Sequence, residues 1–144
     1  MNVISLLTPE DVDEIGGLPV AAICGEFSNA DILPENFQEN PVFTDFMHAI
    51  IETKGIELPS LAEAAKNQVK GYLYVIDFRT PDGIFGNVPT EDIIGAFQVE
   101  NGIVVKDSYE RNNYYKVFTK NGLVKLSTDL MDLLMLELKK LRTK

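Results

Sequence analysis

With 144 residues, 45% of them hydrophobic and 24% charged, the chain has the size and balance of one globular domain and is too apolar for wholesale disorder. The lone cysteine, Cys24, excludes an intrachain disulfide and a cysteine-cluster metal site, and no apolar run approaches the length of a membrane-spanning helix. The net charge of −9 is concentrated: residues 1–63 hold 12 acidic side chains against one basic, Lys54 (net −11), whereas residues 64–144 hold 10 against 12 (net +2).

Such an acidic first half repels phosphate backbones and anionic membranes. Nucleic acid and membranes are therefore not expected partners. The start, MNVISLLTPEDVDEIGG, has no basic n-region, and together with the single thiol this predicts a cytoplasmic protein. No fixed-period repeat stands out.

In chain order, Thr8-Pro9-Glu10-Asp11 opens a helix: Thr8 caps, Pro9 suits the first helical position, and the acids favour the positive end of the dipole. Gly16 and Gly17 stop it early. From Leu18 to Asn40 the signals conflict, because PVAAICGEF fits a buried strand or a short helix equally. Cys24 in that stretch reads as a small buried hydrophobe. A clearer helix follows Asn40-Pro41, with Val42, Phe43, Phe46, Met47 and Ile50 on one face and Asp45, His48 and Glu52 gathered opposite. Another starts at Pro59 and ends before Gly71, with Leu61, Ala65 and Val69 pointing inward.

At Gly71 the period becomes strand-like. YLYVIDF is apolar at both parities and reads as a strand covered on both faces. Two hairpins are expected after it, turning at Asn101-Gly102 and Asn121-Gly122. The chain closes with a helix that Ser127 or Thr128 caps, striped by Leu130, Leu134, Leu138 and Leu141, with Leu133 and Leu136 off the stripe. The fold expected is a single α+β domain over residues 1–144. It has a helical, acidic N-terminal half, an antiparallel meander of about four to five strands over roughly 71–126, and an amphipathic C-terminal helix over roughly 128–142.

Three groups of residues bear on chemistry. Asp77 and Arg79 point to one side of the strand exit, and a buried Asp77 must be paired or hydrogen-bonded. It can anchor the turn through Arg79, Arg111 or the backbone of TPDG at 80–83, or it can line a cleft with Arg79 and Asp82. Tyr109, Arg111 and Asn112 complete the ligand-binding candidates. Asp45, His48 and Glu52, spaced i, i+3, i+7, share a helical face that a metal could use, but no metal motif is complete, so a solvated polar face is expected and no metal or other cofactor is implied. Gly83-Ile84-Phe85-Gly86 matches the GXXG spacing of RNA-clamping loops but lies in acidic flanks after a strand. Residues 106–125 hold five basic side chains among aromatics, which could stack bases, pair across strands, or dock on the acidic half of the same or another copy.

No nucleophile motif accompanies His48, the only histidine. The function expected is a non-catalytic interaction or regulatory module that self-associates, with Leu133 and Leu136 as interface candidates. The alternative is an anion- or small-molecule-binding domain, or an enzyme, using Asp77, Arg79 and Arg111.

Overall fold

The computed structural model describes residues 2–81 and 88–141. Asp82 and the Gly83–Gly86 stretch lie outside the described residues. The protein is α+β, with four α-helices and three antiparallel sheets among the described residues.

The first half is not simply helical. It holds a three-stranded sheet of β1 (Asn2–Ser5), β2 (Ile23–Phe27) and β3 (Phe37–Glu39), in the order β1-β2-β3. The ambiguous PVAAICGEF resolves into a 3₁₀ turn, Val20–Ala22, that runs directly into β2. Helix α1 (Pro9–Ile15) is capped as expected: Thr8 and Asp11 exchange side-chain and backbone bonds in a capping box, and Gly16 ends the helix in the left-handed conformation (φ 86°). Helices α2 (Pro41–Lys54) and α3 (Pro59–Gln68) follow.

In the second half β4 (Gly71–Ile76) pairs with β5 (Ile93–Glu100), and both β6 (Ile103–Val104) and β7 (Glu110–Arg111) pair with β5. β4, β5 and β6 thus follow one another as an antiparallel meander, and β7 departs from it by returning to β5. The first hairpin turns at Asn101 and Gly102, both at positive φ (54° and 74°), as the sequence requires. The second lies one residue earlier than expected: β8 (Phe118–Thr119) and β9 (Gly122–Leu123) flank Lys120-Asn121, and Gly122 belongs to the strand. Helix α4 (Thr128–Lys139) ends the described chain, linked to α2 by Lys54–Glu137 (2.8 Å) and to α1 by Lys139–Asp11 (2.9 Å).

The two halves share a structural unit that the sequence alone did not reveal. PVAAICGEF (19–27) and PTEDIIGAF (89–97) both run proline, 3₁₀ turn, strand, with the same Ile-x-Gly-x-Phe ending. In each, the preceding strand slips register at the corresponding step, Ile4/Ser5 and Val75/Ile76. Asn40 Nδ2 donates to the carbonyls of Val20 and Ile23 (2.9 and 2.8 Å), and Asn112 Nδ2 donates to those of Thr90 and Ile93 (3.0 and 2.8 Å). Gly25 and Gly95 are required for a packing reason: a Cβ would collide with the ring of Phe37 in one unit and of Tyr109 in the other.

One buried cluster joins the halves. Leu7, Ala22, Cys24, Phe43 and Met47 pack with Val75, Ile94, Phe97, Val117 and Leu134. Ala65, Leu73 and Val99 form a smaller satellite under α3.

Candidate functional site

Arg79 leaves β4 into the interior, and its guanidinium side chain is 2% exposed. All five of its N–H donors find acceptors: Nε on Asp92 (2.8 Å), Nη1 on the carbonyls of Val117 and Gly122, and Nη2 on those of Glu91 and Lys116. Asp77 lies 3.7 Å from Nη1 and accepts from the Arg79 N–H (3.0 Å), the Tyr115 hydroxyl (2.8 Å) and the Lys125 N–H (3.1 Å). Thr80 donates its hydroxyl to Asp92. Burial pushes the Asp77 carboxyl above its usual range, against the pull of Arg79 and Tyr115. The cluster ties together the exit of β4, the 3₁₀ turn before β5 and the β8–β9 hairpin, with no donor of Arg79 left for a ligand. A buried charge held this way is an anchor.

Asp92 and Tyr115, both buried, belong to this cluster and were not singled out from the sequence. The repeated unit carries the signal that could have found them: Asp92 stands where Ala22 does, and Tyr115 where Phe43 does. Polar residues at positions that are apolar in the sister unit mark where the second half is specialised.

The other candidates gather elsewhere, and two groups that looked unrelated in sequence come together. Helix α2 does not hold His48 on a solvated face. Its ring is buried, 5.9 Å from that of Tyr109, and Nδ1 is 2.7 Å from the Tyr109 hydroxyl. Tyr109 takes the place of Phe37 in the repeated unit, and its hydroxyl is what lets it reach His48. Burial lowers the His48 pKa to about 4, helped by the Arg111 charge and opposed by Asp45, so the imidazole is neutral at pH 7. Burial also pushes the Tyr109 hydroxyl well above its usual value.

Arg111 on β7 reaches back to α2 and pairs with Asp45 (2.8 Å), both solvent-accessible. Asp45, His48, Glu52, Tyr109 and Arg111 line one shallow cleft of about 210 Å³. A second, of about 230 Å³, continues past His48 toward Glu39, Asn112 and Asn113. Asn112 spends its amide on the β-turn carbonyls. Glu39 is partly buried, and its carboxyl is raised by desolvation, moderated by the Val117 N–H. No cluster of three metal-ligating side chains occurs among the described residues.

Of the interface candidates, Leu133 is partly buried against the chain's own core, whereas Leu136 remains 55% exposed. No helix among the described residues is long and apolar enough to cross a membrane. No family model, curated protein or solved structure matches the chain.

Proposed function

We propose that the chain is a non-catalytic interaction module that self-associates by pairing the free edge of β4 with the same edge of a second copy. The observation that carries this is the outward backbone of Tyr74, unpaired among the described residues, beside an apolar groove. Among the described residues β4 pairs only with β5. Gln68 Nε2 donates to the Tyr72 carbonyl (2.6 Å), so that carbonyl faces away from β5. Alternate residues of an antiparallel strand present their backbone to the same edge, so the N–H and C=O of Tyr74 face outward too, without a partner among the described residues.

Beneath that edge lies a groove of about 130 Å³, lined by Leu58, Leu61, Leu73, Val75, Phe78 and Leu130 among others and by no charged side chain. Tyr72 and Tyr74, 55% and 56% exposed, cover the opposite face of the strand. Gly71–Ile76 carries no charge either, so two chains of net −9 would meet along a neutral strip, with Tyr74 opposite its own copy and Tyr72 opposite Ile76. Such isologous pairing would extend the sheet and turn each groove toward the other. The sheet-end residues Asp77 and Arg79 support a non-catalytic role because their bonding capacity is spent internally. A cytoplasmic setting is part of the proposal, supported by a lone Cys24 that is buried with its thiol pushed to about 12.

Sedimentation velocity over a concentration series tests this. The wild-type mass should rise toward a dimer. Tyr74→Pro, which removes the outward N–H without touching a bond to β5, should stay monomeric with unchanged circular dichroism. A wild-type monomer throughout contradicts the proposal, and a dimer lost in Leu136→Lys but kept in Tyr74→Pro moves the interface to α4.

A further inference from the structure

The cleft around His48 presents both signs of charge at short range, at a site that shares no lining residue with the β4 groove. The cation is Arg111, whose guanidinium spends a single N–H on Asp45 and keeps the rest of its fork unpartnered among the described residues. Asp45, 2.8 Å from that guanidinium, and Glu52 add carboxylates to the same lining.

His48 lines the cleft with them. Its Nδ1 lies 2.7 Å from the Tyr109 hydroxyl, and the ring tautomer sets which of the two donates. With the hydroxyl donating, the imidazole hydrogen sits on Nε2. No buried side-chain nitrogen or oxygen lacks a partner among the described residues, and Nε2 has no partner among them, so it reaches the cleft surface and is a free donor in that tautomer.

A lone anion placed here would meet Asp45 and Glu52; a lone cation would meet Arg111. Only a ligand carrying both charges satisfies the whole lining. We propose that this cleft binds a small zwitterion of the α-amino acid type, its carboxylate on Arg111 and His48 Nε2–H and its ammonium between Asp45 and Glu52. The exposed Arg111–Asp45 pair is weak enough to open for it. Tyr109 acts as a positioning residue, since it holds the imidazole in the donor tautomer.

His48 is the only histidine, so its ring gives a single set of imidazole signals. Protein labelled in histidine is titrated with L-alanine, and separately with acetate and with methylamine, while Nε2 and Cε1 are followed by NMR. L-Alanine should give a saturable shift, and each half-ligand should bind about tenfold more weakly or worse, the loss of one charged contact. Arg111→Met should abolish the response to L-alanine with its unfolding midpoint unchanged. The proposal is overturned by no saturable shift, by acetate or methylamine acting as strongly as L-alanine, or by a response that survives in Arg111→Met.

Discussion

Replacing Arg79 by methionine keeps much of the side chain's apolar volume and deletes its charge and all five donors. Five acceptors each lose the donor that Arg79 supplied: the Asp92 carboxylate, which keeps only the Thr80 hydroxyl, and the carbonyls of Glu91, Lys116, Val117 and Gly122. Asp77 also loses its only cationic neighbour within 4 Å among the described residues. Breaking a buried pair from one side costs about 3–5 kcal/mol, because the surviving carboxylates must be protonated or reached by water. The side chains of Asp77 and Asp92 are 0% and 1% exposed, so the loss falls well inside that range, at about 4 kcal/mol. Against the roughly 5–15 kcal/mol total typical of a domain, this is about a quarter of the stability or more. Urea unfolding followed by circular dichroism should show the midpoint falling by about 2 M for an m-value near 2 kcal/mol/M. Arg79→Lys should recover little, since an ammonium has three donors and no planar fork. A loss below about 1 kcal/mol in Arg79→Met would refute the assignment of Arg79 as a buried anchor.

Three further outcomes follow from other parts of the molecule. His48 has a folded pKa of about 4 against 6.5 unfolded, so the unfolded chain binds more protons between them: stability is intact above pH 6.5 and falls by about 3 kcal/mol as pH drops to 4. His48→Gln should remove that component from the pH profile measured by thermal unfolding, and an unchanged difference between pH 7 and pH 4.5 would contradict it. Gly95→Ala forces a Cβ into the Tyr109 ring and should cost about 1–3 kcal/mol while shifting the His48 imidazole signals, whereas wild-type signals would mean the ring can step aside. Val69 sits at φ 73°, ψ −47° in a γ-turn closed by Lys70 N–H to the Gln68 carbonyl, a conformation strained for a β-branched residue; Val69→Gly should therefore stabilise by about 1 kcal/mol in chemical denaturation, and destabilisation would contradict the strain.

The parts of the fold legible in the sequence were those fixed by local chemistry. Thr8-Pro9-x-Asp11 specified the α1 cap, Asn40-Pro41 the start of α2, and Asn101-Gly102 the first hairpin, because each depends on a few neighbouring residues. The β1–β3 sheet was not legible, because three to five residues of PVAAICGEF or FQE carry too little period to separate strand from helix, and pairing decides. Val69 was expected to face inward near a helix end that Gly71 would close; the chain turns at Val69 itself, and tertiary bonding to Gly102 N–H holds it there.

For the site, spacing correctly placed Asp45, His48 and Glu52 along one side of α2. It could not show that β7 would lay Tyr109 and Arg111 across that side and bury the imidazole. Asp77 and Arg79 were recognisable as a pair, but their main partner, Asp92, lies thirteen residues on in a turn, and only comparison with the sister unit at Ala22 makes it conspicuous. The charge asymmetry was legible in outline: Arg111–Asp45 and Lys139–Asp11 carry second-half cations onto first-half acids.

The most direct measurement of the proposed function is amide hydrogen exchange at Tyr74, followed residue by residue at low and high protein concentration. That N–H has no partner among the described residues, so it should exchange fast in the isolated chain and slow when a second copy pairs with it. The account predicts that Tyr74 protection rises with concentration in step with the dimer fraction, while buried strand amides of β5 stay protected throughout. A Tyr74 amide that exchanges fast at every concentration, with or without a dimer in solution, would contradict it.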